Sequence, residues 1–242
     1  MKLKKRRSES FSARFRSISV PPALRLSGAT EALKWIGLIM MTGDHVNKYL
    51  CGEAYRTLFN AGRIAMPLFV TVFAYHLSKH KVTARLLVRL LVAGVLASPA
   101  FMALNKLLGG WWPLNIMFLF FCLAAITALN EQKRYLSAVL VGILGGAIVE
   151  FFWPALYYGV AATRYFKRPS CLTAIVAVAL LAVCRIVNGC SWALMALPII
   201  VGPSLLAKRY PISIPRAKWF YYAYYPAHLS MIWAIQAIQK FS

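Results

Sequence analysis

Apolar residues run along this chain in long blocks, and polar residues gather in short breaks between them. A helix that crosses a bilayer takes about 20 mostly apolar residues. Nine blocks fit that length, roughly 30–50, 57–77, 85–104, 111–129, 135–150, 152–166, 170–187, 190–207 and 219–239. The fifth and sixth are divided because a single helix over 135–166 would be about 48 Å long at ~1.5 Å per residue, too long for a ~30 Å hydrocarbon core. Gly145, Gly146 and Pro154 offer places for the break. The pattern predicts an all-α fold, a polytopic transmembrane bundle of about nine helices. It forms one membrane domain over residues 27–240, behind a disordered basic tail of residues 1–26.

Composition narrows the class. Of 242 residues, 60% are apolar and 14% charged, against about 45–50% apolar in ordinary globular domains. A chain this apolar is not disordered. Its five cysteines are odd in number, form no CxxC pair and sit mostly inside apolar runs, so it is no disulfide scaffold. The 28 Lys and Arg against 6 Asp and Glu give a net charge of +22. In a soluble chain that excess points to nucleic acid, but here the cations interrupt the apolar blocks, so no nucleic-acid partner is expected and the bilayer is. With the N-terminus in the cytoplasm, nine spans leave 22 of the 28 basic residues on the inner side, a positive-inside pattern. Merging spans five and six would move the cluster at Lys208, Arg209, Arg216 and Lys218 outside. The tail lacks the apolar stretch and cleavage site of a signal peptide, and it is suited to touching anionic lipid. No internal repeat, P-loop, GxGxxG or HExxH is present, and no metal is implied.

Ionisable groups inside spans cost roughly 2.5–3.5 kcal/mol each and mark candidate sites. They are Asp44, His45, Arg63, Glu150, Arg185 and His228. The nine-span threading brings all but His228 to the outer half, with His228 nearer mid-membrane. Structural readings stand beside the functional ones. Asp44 and Arg63 suit an ion pair stapling the first hairpin, Glu150 an interfacial residue, Arg185 a snorkelling boundary charge, and His228 a satisfied core histidine. Tyr221, Tyr224, Tyr225 and His228 share one helix face at i, i+3, i+4 and i+7. Such a stripe makes either an aromatic belt or, with Pro226 loosening the helix, the wall of a site.

His45 is suited to general-base chemistry near neutral pH. Asp44, about 100° away around the helix, is placed to hold Arg63 or a substrate amine and not to orient His45. Arg63 is suited to stabilising negative charge on an acyl oxygen. A base with an oxyanion stabiliser fits acyl transfer and equally fits proton-coupled transport.

Four segments carry a family resemblance. KWIGLIMMTGDHVNKYL resembles the M-x-x-DH first span of the TraX family, the F-type pilin acetylases. LFNAGRIAMPLF is similar to its GR-x-[AG]-[FY]-PLF element, NIMFLFFCLAAI to its Asn-initiated middle span, and FYYAYYPAHLSMIW to its closing FY-x-x-YPxHL span. Order and spacing agree from about residue 28 to 240. Met66 departs from the usual aromatic residue, and residues 130–215 match by hydropathy alone. The resemblance implies a multi-pass inner-membrane enzyme that N-acetylates the amino terminus of a conjugative pilin subunit, its acceptor partner, with cytosolic acetyl-CoA as donor. It implies His45, Asp44, Arg63 and His228 as catalytic residues, with Asn115 and Tyr225 as substrate-binding candidates. Glu150, from the residues themselves, joins that binding set. Lys34, Lys79, Lys81, Arg85 or Lys218 would hold the phosphates of the donor, and His228 would lie on the acyl path. An O-acetylase acting on a sugar is a variant of the same reading. A proton-coupled transporter using Asp44 and His45, and a non-catalytic pilus or secretion assembly factor, are the alternatives.

Overall fold

The computed structural model describes residues 27–107, 110–209, 214 and 220–239. The basic tail and Lys218 lie outside the described residues. Nine α-helices and one 3-10 turn are present among the described residues, with no strand. They are α1 Ser27–Tyr49, α2 Arg56–Lys79, α3 Ala84–Asn105, α4 Ile116–Glu131, α5 Tyr135–Ile148, α6 Phe152–Lys167, α7 Cys171–Asn188, the 3-10 turn Trp192–Met195, α8 Ala196–Arg209 and α9 Phe220–Gln239.

Side-chain caps set several starts. Thr83 accepts from Leu86 N at 3.3 Å to open α3, and Ser170 accepts from Thr173 N at 3.2 Å to open α7. The fourth helix starts at Ile116, later than the apolar block does, because Asn115 caps it by accepting from Met117 N at 3.1 Å. The block at 190–207 opens as the 3-10 turn before continuing as α8, after Gly189 ends α7 at φ +67°.

The break in 135–166 falls at 149–151, between the glycine pair and Pro154. Leu114 N donates to Ile148 O and Glu150 N donates to Leu114 O, both at 2.7 Å. These bonds satisfy backbone groups that a continuous helix would have used. Phe151 and Phe152 sit at φ 63° and 52°, a left-handed conformation that stops one helix and re-aims the next. Glu150 is thereby laid against the N-terminus of α4.

Helix α2 is central, packed against α1 on one side and α6 on another, with α7 behind α6. Helix α9 packs on α3 and α1, and α4 lies between α3 and α5. The main core gathers Val70, Leu90, Leu119, Leu123, Leu156 and Leu229, all essentially inaccessible. A smaller core of Leu33, Leu68, Val72 and Ile200 joins α1, α2 and α8. Small residues bring helices close, as at Gly145, where a Cβ would lie 2.8 Å from Cys122 Sγ. Large aliphatic side chains point outward instead, including Val95 and Leu96 on α3, Leu136 and Leu144 on α5, and Leu172, Ile175 and Ile186 on α7. Three helices, α2, α3 and α7, are long and apolar enough to cross a membrane.

Candidate functional site

Helices α1 and α9 run parallel. Trp35 meets Phe220 and Tyr221 at one end, with ring centroids 5.3 and 6.0 Å apart. Farther along both helices, His45 Nδ1 lies 2.8 Å from His228 Nε2. Beyond them Gln236 Nε2 donates to Tyr49 O at 3.1 Å. His228 is 3% exposed, and its Nδ1 lies 3.0 Å from Tyr224 O, one turn back on α9. His228 is thus level with His45 along the bundle, not nearer mid-span as the span count suggests, because the register set by Trp35 and Gln236 carries α9 that far along α1.

The neighbouring residue makes a second pair. Arg63 Nη2 donates to Asp44 Oδ2 at 2.6 Å, with Asp44 only 5% exposed. The guanidinium also lies over the Phe59 ring at 4.6 Å. Asp44 points away from His45, as the helical geometry requires. Among the described residues two groups of the pair are left unbonded and buried, Asp44 Oδ1 and Arg63 Nε, and Asn60 Oδ1 on the same stretch of α2 is also buried without a partner. Buried polar groups without partners are uncommon. This set presents two acceptors and one donor to anything that enters.

Glu150 comes to the same region from the break between α5 and α6. Its carboxylate lies near the Ile116 backbone and within electrostatic range of Lys48, Arg63 and Asp44. The Tyr225 hydroxyl also lies near the Ile116 backbone, and the Tyr225 ring lies 5.5 Å from the ring of His228. Lys48 and Tyr49 close this end by donating to Asn105 Oδ1 at 2.7 and 2.8 Å. Six of the expected site residues, Asp44, His45, Arg63, Glu150, Tyr225 and His228, therefore meet.

Asn115 does not join them as a free group. It is fully buried, caps α4, and donates to Gly94 O at 2.9 Å and Ser98 Oγ at 3.2 Å. Its polar atoms are occupied in joining α3 to α4. Arg185 is exposed near the end of α7, away from the cluster.

A cavity of about 870 Å³ opens between α1, α2, α3, α4 and α9. Lys34, Lys79, His80, Lys81 and Arg89 line its more exposed side, with Arg85 absent from its wall. Glu31, 4% exposed, sits among these cations, bonded to Lys34 Nζ at 2.7 Å and approached by the Tyr221 hydroxyl at 3.4 Å. Inward the wall turns apolar and aromatic, through Phe69, Phe73, Phe120 and Met117, and it reaches Met41, Tyr224 and Tyr225. Met41 is one turn before His45, and Tyr224 one turn before His228. Between cavity and histidines stands a hydroxyl pair, Thr42 Oγ1 and Tyr224 Oη, 2.8 Å apart.

Thr42, Lys48, Tyr49, Asn105 and Arg89 were not singled out by the sequence. Thr42 and Tyr49 follow from the helical repeat around His45 (i−3 and i+4). Asn105 has no signal of its own, because its role depends on where α3 ends against α1.

A family model described as TraX protein matches residues 29–236. No curated protein and no solved structure matches the chain.

Proposed function

This chain belongs to the TraX family, and from that premise we propose that it is a membrane-embedded acetyltransferase acting on the amino-terminal amine of a conjugative pilin subunit. Membership associates the chain with pilin modification in conjugation. Acetyl-CoA is the donor in this reading, supplied from the cytosol. The observation that carries the proposal is the His45–His228 contact beside the buried Asp44–Arg63 pair, one helical turn beyond Met41 and Tyr224 on the wall of a cavity that Lys34, Lys79 and Lys81 also line.

Placement in the bacterial inner membrane, with the N-terminus and the cavity mouth on the cytoplasmic side, is supported by three features. Apolar side chains face outward on α3, α5 and α7, where a soluble bundle carries polar ones. Three helices have spanning length and composition. The cations at the cavity mouth, Lys34, Lys79, Lys81 and Arg89, belong to the side that the positive-inside pattern assigns to the cytoplasm.

The cavity suits a molecule charged at one end and slender and apolar at the other. Cations at the mouth pair with phosphate oxygens, and the aromatic throat accepts a flexible thiol arm. At its end the acyl carbon comes toward His45. His45 accepts the proton that the amine loses, the amine nitrogen forms its bond to the acyl carbon, and the carbon–sulfur bond breaks with its electrons on sulfur. The proton on His45 then passes to that sulfur. Arg63 Nε, which has no hydrogen bond among the described residues, is a donor for charge developing on the acyl oxygen. Asp44 Oδ1 and Glu150 are acceptors for the ammonium form of the acceptor as it arrives, and that ammonium sheds one proton to solvent before the neutral amine attacks.

Mass spectrometry of pilin from cells carrying the wild-type protein or His45→Ala tests the reading. The expected result is an acetylated amino terminus with the first and a free amine with the second. Pilin that is acetylated equally in both strains removes His45 from the chemistry.

A further inference from the structure

We propose that His228 is a positioning residue that fixes the tautomer of His45, leaving His45 Nε2 as the nitrogen that takes the proton. The proton's origin rests on the acetyl-transfer reading above; the tautomer itself rests on geometry alone.

His228 Nδ1 faces Tyr224 O at 3.0 Å, and a carbonyl oxygen only accepts. In the neutral ring His228 therefore carries its proton on Nδ1, and its Nε2 holds a lone pair. The atom facing that lone pair at 2.8 Å is His45 Nδ1, which must then donate. A neutral His45 protonated at Nδ1 has its own lone pair at Nε2, which has no hydrogen bond among the described residues. The chain of bonds has one direction, from His45 Nδ1–H to His228 Nε2 and from His228 Nδ1–H to Tyr224 O.

Ring geometry supports a true N–H···N bond. The two imidazoles are 3° from parallel, with centroids 5.1 Å apart. That separation is what the 2.8 Å contact and the two ring radii add up to along a line. The rings therefore lie edge to edge in one plane and are not stacked face on face, so the N–H of one points along the lone pair of the other.

The orienting group of a hydrolytic triad is usually a carboxylate beside the base. Here the sequence neighbour Asp44 is held by Arg63 at 2.6 Å, and the imidazole of α9 occupies the orienting position. Its anchor is main chain, so the tautomer survives any side chain at position 224. When His45 Nε2 gains the amine proton, its Nδ1–H becomes a stronger donor to His228 Nε2. The bond thereby stabilises the imidazolium without introducing a second charge.

Nitrogen-15 NMR of histidine-labelled full-length protein in detergent micelles tests this directly. His45→Gln and His228→Gln spectra assign the signals. The expected wild-type spectrum has His45 protonated at Nδ1 and bare at Nε2, and His228→Phe is expected to release His45 to the Nε2–H tautomer. Pilin acetylation by His228→Phe is expected to fall about 10³–10⁴-fold in kcat. His228→Gln, whose amide oxygen can still accept from His45 Nδ1, is expected to recover at least about tenfold over the Phe variant. A wild-type His45 protonated at Nε2, or a tautomer unmoved by His228→Phe, overturns the proposal. If the NMR result holds while the wild-type protein acetylates no pilin, the positioning role stands and the acetyltransferase reading fails.

Discussion

Gly62 on α2 packs its bare Cα against the side chain of Asp44 on α1. A Cβ at Gly62 would collide with Cβ, Cγ and Oδ2 of that carboxylate. The glycine is what lets Asp44 lie flat between the helices and reach Arg63, the next residue along. Alanine in a helix interior normally gains up to about 1 kcal/mol over glycine. Here Gly62→Ala is expected to destabilise instead, by about 1–3 kcal/mol from overpacking, and to lower pilin acetylation as Asp44 is pushed from Arg63. Thermal unfolding of the detergent-solubilised variant checks this, and a melting temperature at or above wild type contradicts the packing.

The Asp44–Arg63 pair is a buried one whose partners depend on each other. Removing one side leaves an uncompensated charge, at a cost of about 3–5 kcal/mol. Asp44→Asn and Arg63→Gln are each expected to show that cost. The double variant is expected to be more stable than the sum of the two predicts, with a coupling of about 0.5–3 kcal/mol. Denaturant titration in mixed micelles over the four proteins gives the cycle. Additive effects would mean that the 2.6 Å contact contributes nothing to stability.

Helix number and limits were legible because apolar blocks of spanning length and polar breaks are a strong one-dimensional signal. Asp44, His45, Arg63 and His228 were legible for a different reason: a titratable group in an apolar block is conspicuous by its cost. What pairs with what was only half legible. Helical angle separates Asp44 from His45, but the meeting of His45 with His228 depends on the register of α1 against α9, which no local pattern encodes. The break at 149–151 is a similar case. Its glycines and proline mark the neighbourhood, while its position comes from Leu114, 35 residues upstream, which takes the backbone groups on both sides. Asn115 is the opposite case, since an isolated polar residue opening an apolar helix reads equally as a cap or a ligand until its partners are known.

The cations at the cavity mouth are expected to serve donor affinity and not chemistry. Lys79→Ala and Lys81→Ala are each expected to raise the KM for acetyl-CoA about tenfold, the scale of one charge-assisted hydrogen bond. The kcat is expected to stay unchanged, because the contact is the same in ground and transition states. The effect should shrink as salt rises through a few hundred millimolar, since exposed charges are screened over about 10 Å or less. Steady-state kinetics with solubilised protein and a pilin amino-terminal peptide at two ionic strengths decides. A fall in kcat with KM unmoved would place these lysines elsewhere in the mechanism.

Asn115→Ala separates a structural clamp from a ligand. The side chain caps α4 and ties it to α3 through Gly94 O and Ser98 Oγ. Losing the cap costs about 1 kcal/mol, and stranding its buried partners adds roughly 1–2 kcal/mol more. The variant is therefore expected to be about 2–3 kcal/mol less stable, with acetylation per folded molecule near wild type at low temperature. Parallel unfolding curves and activity normalised to the folded fraction provide the measurement. A hundredfold drop in normalised activity with the unfolding curve unmoved would make Asn115 a substrate contact, which its fully occupied hydrogen-bonding groups argue against.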